Sequence, residues 1–190
     1  EMTEQELAKL MIGSDLPEIM PRPEIKPHPG LEVCFQGEEV GFKSRYPLYG
    51  KINVPCGRIV GVAGISGNGQ AELMKAISGD VLLPQNCISM VGSFAGDLRV
   101  KHRRALGLRY VPEQRLGEAT VPEMSLESNT LLTSNLFLAK GFMRNKMIAR
   151  FTRSIIEKFH VRCGGPKAPA ESLSGGNLQK FIVGRELLHN

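Results

Sequence analysis

The chain has 190 residues, 42% of them hydrophobic and 23% charged, which suits one globular domain of ordinary size with a sizeable core. Its 24 Lys and Arg against 19 Asp and Glu leave a net charge of +5, too mild and too scattered to demand a nucleic-acid partner. The longest apolar run, Ile59 to Ile65, is much too short to span a bilayer and Glu1-Met2-Thr3-Glu4 is no signal peptide, so any membrane attachment has to come through a partner. Cys34, Cys56, Cys87 and Cys163 lie far apart and the histidines lack zinc-like spacing, which reads as reduced thiols in a cytosolic protein without a metal site.

Residues 1–13 have helical composition, with Leu7, Leu10 and Met11 on one side, and Pro17, Pro21, Pro23, Pro27 and Pro29 then forbid regular structure. Residues 1–29 are therefore expected to be a linker from a preceding domain of a longer polypeptide. Leu31–Phe35, Glu39–Phe42 and Ile52–Val54 read as short strands of a small antiparallel sheet, separated by glycine and proline turns. Arg58–Ala63 reads as an apolar strand running into a glycine loop, Gly64 to Gly69, and then a helix to about Ser78; strand, glycine loop and helix is the phosphate-loop arrangement.

Ile88–Val91 reads as a further strand and Gly107–Pro112 as a buried one. The basic approach to the latter, Arg99, Lys101, Arg103 and Arg104, reads as a solvated helix start rather than a binding patch. Between Ser125 and Phe159 the residues favour helices, with Leu126, Asn129, Leu132 and Leu136, then Ile148, Phe151, Ile155 and Phe159, at core-facing intervals. Cys163 to Pro169 is a glycine and proline hinge ahead of the last helix.

A working phosphate loop reads G-x-x-x-x-G-K-[ST]: glycines bare backbone N–H groups, lysine meets the β and γ phosphates, and the hydroxyl holds Mg²⁺. Gly64 and Gly69 have the required spacing, yet Gln70 stands in the lysine place and Ala71 in the hydroxyl place. Phosphoryl transfer at this loop is expected to be severely impaired. Taken alone, Gly64 to Gly69 is equally a tight strand-to-helix turn with no ligand; the motif that follows downstream favours a modified phosphate loop.

That motif is Leu173-Ser174-Gly175-Gly176-Asn177-Leu178-Gln179-Lys180, followed by Arg185-Glu186-Leu187. A serine and two glycines at a helix start leave N–H groups bare to a polyphosphate, and the helix dipole favours its charge. Leu178, Phe181, Ile182 and Leu188 fall near helical spacing, so one face is expected to pack while Lys180, Arg185 and Glu186 stay solvated.

The Ser174 motif resembles the signature motif of ABC-type ATPases. The whole chain resembles the second nucleotide-binding domain of the tandem ATPase subunit of bacterial ABC importers for simple sugars, and most closely the nucleoside-importing, basic-membrane-protein type. The stretches that carry the resemblance are Gly57 to Gly64 with Ser66 to Gln70, Gly107 to Arg115, Val121 to Ser125 with Asn129, and the signature. The resemblance implies an α/β fold, a partial ABC-ATPase nucleotide-binding domain with a P-loop core, a small antiparallel β subdomain and a helical subdomain. Its implied divisions are the linker at 1–29, the β subdomain and P-loop core at 30–110, the Q-loop region and helical subdomain at 111–172, and the signature helix at 173–190.

In such proteins two domains pair head to tail and each nucleotide lies between one phosphate loop and the opposite signature. The resemblance thus implies that Ser174, Gly175, Gly176 and Asn177 meet an ATP held, with Mg²⁺, on a first nucleotide-binding domain of the same polypeptide. Gly64, Ser66, Gly67, Asn68, Gly69, Gln70 and Ala71 would line a weaker, mainly structural site. Glu113 stands at the Q-loop place, with a plain surface glutamate at a strand end as the alternative. Phe42 or Tyr46 is the candidate to stack on adenine, with ordinary packing as the alternative.

An ABC domain continues into a Walker B strand ending Asp-Glu, a D-loop and a switch histidine; Asn190 precedes all of these, and His189 sits too near the signature to be the switch residue. No catalytic residue is therefore expected within the chain, and alone it should not turn over ATP. Further implied partners are transmembrane permease subunits and, indirectly, a substrate-binding protein, with the ATPase subunit peripheral to the cytoplasmic face of the bacterial inner membrane. Two competing functions are an ABC-type ATPase acting on nucleic acid or translation, and a regulatory domain whose loops bind nothing. The first would show steep salt-dependent DNA or RNA binding; the second would show no nucleotide-dependent pairing with an intact partner domain.

Overall fold

The computed structural model describes residues 30–38, 48–65, 67–133, 137–139 and 142–188. The expected linker at 1–29, the strand Glu39–Phe42, and Tyr46, Ser66, Leu136, His189 and Asn190 lie outside the described residues.

The fold mixes helices with antiparallel strands and is organised around two hydrophobic cores. Strands β1 (Leu31–Glu38) and β2 (Leu48–Val54) pair antiparallel from Leu31↔Val54 to Gln36↔Tyr49, with a register shift between Gln36 and Glu38. Strand β3 (Ile88–Met90) adds to the other side of β1, and β4 (Ser93–Phe94) to β3, giving the order β2-β1-β3-β4. One face of this sheet packs on helix α1 (Gln70–Ser78): Val33, Leu73, Ala76, Ile88 and Met90 share the first core. Helix α1 stops where Gly79 turns left-handed, φ 92°, and returns its N–H to Lys75 O at 3.2 Å, a helix end that glycine reaches without strain.

The short helix α2 (Val100–Ala105) leads toward the second core, formed by α3 (Leu126–Leu131), α4 (Asn145–Lys158) and α5 (Gly175–Leu187). Among the described residues a two-residue hairpin, β5 (Leu138–Ala139) with β6 (Phe142–Met143), precedes α4. Leu126, Ile155, Leu178, Phe181 and Ile182 meet in this core; full burial of side chains of that size contributes about 1.5–3 kcal/mol each. Of the stripes expected from periodicity, Ile148 and Ile155 on α4 and Leu178, Phe181 and Ile182 on α5 are buried, Phe151, Phe159 and Leu188 are half-buried, and Leu132 is exposed. Gly184 sits where these helices press together: a Cβ there would lie 2.7 Å from a Phe159 ring carbon and 2.8 Å from Ile155 Cγ2.

Three expectations are corrected. Arg58–Ala63 and Gly107–Pro112 form no strand. A parallel strand of that kind needs neighbours on both edges and cover on both faces, whereas here Ile59 is 87% exposed and the only described sheet of more than two strands is antiparallel. The charge run is a helix start with Arg99 and Lys101 exposed, as expected, but Arg104 is half-buried and Arg103 is not solvated at all. Arg103 is fully buried, donating from Nε to Leu98 O at 2.7 Å, from Nη2 to Gly96 O at 2.7 Å, and from Nη1 to Ala76 O and Ile77 O. Four carbonyls take the place of water around it, and burial still pulls its pKa below the ordinary value, with Asp97 and Asp80 pulling it back. Arg185 and Glu186 are likewise buried, at 1% exposure each, rather than solvated.

Candidate functional sites at two glycine turns

The turn before α1 is closed by its own side chain. Gly67 and Gly69 adopt φ 86° and 97°, conformations open to glycine and strained for other residues. Gln70, the first residue of α1, folds back across the loop: Nε2 donates to Ile65 O at 3.0 Å and Oε1 accepts the Asn68 N–H at 3.2 Å. A Cβ built on Gly64 would lie 2.3 Å from that Nε2, so the amide rests directly on Gly64. The glutamine thus spends a backbone donor that a phosphate loop offers to its ligand, and Ala71 offers no oxygen to a metal. These residues do not fit a Mg-triphosphate. A cleft of about 230 Å³ remains beside the turn, lined by Tyr49, Ile52, Val62, Asn68, Gln70 and Leu73 among others. Tyr49, 76% exposed on β2, is the aromatic that reaches this cleft; Phe42 and Tyr46 lie outside the described residues.

The turn before α5 is open. Ser174 is the N-cap, in extended conformation (φ −62°, ψ 152°), and its hydroxyl makes no cap bond to the helix. Ser174 O takes the first helical bond, from the Leu178 N–H at 2.9 Å, so the N–H groups of Gly175, Gly176 and Asn177 stand ahead of the helical ladder. Ser174, Gly175 and Gly176 are exposed. Asn177 Nδ2 donates to Ser174 Oγ at 2.8 Å while its Oδ1 accepts the Arg162 N–H at 2.8 Å. An accepting Oγ keeps its own proton free to donate outward. Three bare N–H groups, a hydroxyl donor and the positive end of a 13-residue helix fit an anion such as a phosphate.

A stiff base of buried charge lies at the far, C-terminal end of α5. Arg185 Nε donates to Glu186 Oε1 at 3.2 Å and its Nη1 to Asn129 O at 3.1 Å. Arg104 Nη2 reaches across from α2 to Glu186 Oε2 at 2.7 Å and to Thr133 O at 3.0 Å. Burial lowers the Arg185 pKa from its ordinary value, and Glu186 opposes that shift. Asn129, fully buried, accepts the Val121 N–H at 2.8 Å and donates to Val121 O, Met124 O and Ser125 O, tying the loop ahead of α3 to its helix.

Glu113 is exposed near the start of a loop that turns at Gly117, and Tyr110, three residues earlier, has its phenol pKa raised by burial, then by Glu118, Asp80 and Glu113. Among the described residues, none of Ser174–Asn177 lines the cleft at Gly64–Gln70. Sequence reasoning placed both turns but missed Tyr49 and the partners of Arg103, Arg104 and Glu186. Among the described residues no group of His, Cys, Asp and Glu gathers as a metal site, and no helix is long and apolar enough to cross a membrane.

No family model matches the chain. It is 34% identical over 197 aligned positions to the nucleoside import ATP-binding protein NupA of Lactococcus lactis subsp. cremoris, covering 100% of this chain and 38% of that protein. To the guanosine import ATP-binding protein NupO of Bacillus subtilis it is 30% identical over 198 positions, covering 100% and 38%. To the ribose import ATP-binding protein RbsA of Bacillus licheniformis it is 31% identical over 183 positions, covering 95% and 36%. The chain is therefore similar, nearly from end to end, to nucleoside and ribose import ATP-binding proteins and spans less than two fifths of their length.

Proposed function

We propose that the chain is a signature-bearing part of the ATP-binding subunit of an ABC importer for nucleosides or simple sugars, and that it works by completing an ATP site in trans. The open turn before α5 carries this reading: Ser174 Oγ, steadied by Asn177, and the N–H groups of Gly175 and Gly176 are arranged to receive phosphate oxygens. The γ-phosphate of an ATP held by a partner phosphate loop is the ligand we assign to it, with Mg²⁺ supplied at that partner loop. ATP brings the phosphoryl group to be hydrolysed; the residues of this chain orient and neutralise it. Whole-length similarity to import ATP-binding proteins supports the family setting.

The Gln70-closed loop is assigned a structural role in the same assembly. No residue of Ser174–Asn177 lines the cleft at Gly64–Gln70, which is in keeping with a trans arrangement. In this reading the partners are a nucleotide-binding domain with an intact G-x-x-x-x-G-K-[ST] loop, permease subunits in the membrane and, through them, a substrate-binding protein, with the subunit on the cytoplasmic face of the inner membrane.

The test is ATP turnover by an intact phosphate-loop domain with and without this chain, comparing Ser174 with Ser174→Arg. Stimulation by the wild-type chain should vanish in the variant, whose bulky side chain fills the phosphate position. Equal stimulation by both would overturn the reading, as would robust turnover by this chain alone that Ser174→Arg abolishes.

A further inference from the structure

The loop that carries Glu113 also reaches the open turn. Arg115 Nη1 donates to Gly175 O at 3.0 Å across 60 residues of sequence. Its guanidinium lies along the glycine: a Cβ on Gly175 would sit 3.1 Å from Nη1, 3.5 Å from Cζ and 3.7 Å from Nη2. The backbone that holds Arg115 is itself fixed. Thr120, 1% exposed, donates from Oγ1 to Arg115 O at 2.7 Å, the Gly117 N–H meets Thr120 O at 2.8 Å, and the Ala119 N–H meets Gln114 O at 3.1 Å.

Helix electrostatics do not explain this cation. A positive charge in a first helical turn opposes the dipole by about 0.3–1 kcal/mol. The geometry offers another reason. Gly175 C=O and Gly176 N–H belong to one planar trans peptide and point in opposite directions. A donor from outside the helix that holds the oxygen therefore steadies the N–H, in a first helical turn whose two glycines and absent side-chain cap leave it prone to fray and that peptide to rotate. Rotated, it would turn the Gly175 oxygen toward the incoming anion in place of the Gly176 donor.

We propose that Arg115 is a positioning residue for the Ser174–Gly176 turn: through Gly175 O it locks the peptide that presents the Gly176 N–H to phosphate. The inference rests on the trans-acting function assigned above, and it adds a residue that the phosphate itself does not need to touch. It also gives the Glu113–Thr120 loop a mechanical route to the signature, because a shift of that loop moves the arginine and releases the peptide.

Two measurements test it. In the trans assay, Arg115→Ala should lower the stimulated kcat about tenfold, the scale of a misplaced catalytic group, with KM for ATP within about twofold. Arg115→Lys, which keeps a donor but loses the planar fork, should recover part of the loss, and both variants should keep the wild-type Tm. On the chain alone, the order parameter of the Gly176 N–H should fall from about 0.85 to below about 0.6 in Arg115→Ala while that of Ile182 is unchanged. A wild-type kcat in Arg115→Ala, with Ser174→Arg still abolishing stimulation, overturns the role of Arg115. If Ser174→Arg leaves stimulation intact, the trans reading fails separately, and an unchanged Gly176 order parameter then overturns this inference on its own.

Discussion

At the start of α1 the chain uses a left-handed glycine, Gly69, as the cap and then bends Gln70 back to take up the Asn68 N–H and Ile65 O. At the start of α5 it uses an extended serine, spends that serine's hydroxyl on nothing within the helix, and holds it from the side with Asn177. Both are glycine turns opening a helix, yet one has become its own ligand while the other keeps its donors for something outside. The difference teaches that glycine spacing sets the shape of a backbone nest, and the side chain one step beyond decides whether the nest stays available. The two helices also differ at their C-terminal ends: α5 stands on a base of three buried or half-buried charges, Arg104, Arg185 and Glu186, and α1, among the described residues, on Arg103 alone.

Removing that base should break the comparison most severely. Glu186→Ala leaves Arg185 and Arg104 without their counter-charge, and stranding a buried ion costs about 3–5 kcal/mol. The lower end applies because Arg104 is 17% exposed. A urea titration should show a loss of about 3 kcal/mol; a loss below about 1 kcal/mol, the range of exposed pairs, would mean that the base does not hold the end of α5 in place.

Gly184→Ala attacks the same helix by packing instead of charge. The added methyl meets Phe159 and Ile155 at 2.7 and 2.8 Å, and overpacking of this kind costs about 1–3 kcal/mol. Tm should fall while the bonds around Gln70, in the other core, are untouched. An unchanged or raised Tm would show that α4 and α5 have room to separate.

How much of this was legible depends on the reach of each interaction. Leu178, Phe181 and Ile182 announce the buried face of α5 because helical spacing is local, and Ser174 announces the helix start for the same reason. Glu186 reads as solvated because its partner, Arg104, lies 82 residues away. Arg103 misleads for the same cause: its carbonyl partners come from α1 and the 96–98 turn, and a run of basic residues carries no mark of them. The apolar runs at 58–63 and 107–112 have strand composition, but a strand exists only beside another, and no partner strand lies there among the described residues. At the sites, the missing lysine was plain from Gln70 itself, while Tyr49 needed the register of β2 to bring it to the cleft. Arg115 stood inside a stretch that carried the family resemblance, and only the bond to Gly175 gives it work.

Gln70→Ala sharpens the contrast between the turns at its centre. It removes the amide that rests on Gly64 and leaves the Asn68 N–H only its long bond to Ile65 O, 3.3 Å, which an incoming anion can displace. One restored donor is worth about 1–1.5 kcal/mol, so binding of ATP to this chain, followed by equilibrium dialysis, should tighten about fivefold to tenfold. Equal or weaker binding would show that the glutamine does not occlude the loop, and the two turns would then differ in chemistry but not in availability.

The smallest effect belongs to Asn177→Ala. The substitution takes away the donor to Ser174 Oγ and the acceptor of the Arg162 N–H, both at the surface, where each bond contributes about 0.5–1.5 kcal/mol. Both bonds are exposed, so each counts at the low end of that range, and stability should drop by about 1 kcal/mol. Stimulation of the partner's ATP turnover should fall about threefold to fivefold, because the serine hydroxyl, no longer held, divides its time among rotamers and faces the phosphate for only part of it. Asn177→Asp separates the two bonds: it keeps an acceptor for Arg162 but offers Ser174 only oxygen, which draws the hydroxyl proton inward and away from an incoming anion. If Asn177→Asp falls further than Asn177→Ala while Tm holds, the orientation of one proton distinguishes the open turn from a merely exposed one; if both variants stimulate like wild type, the turn works through its backbone N–H groups alone.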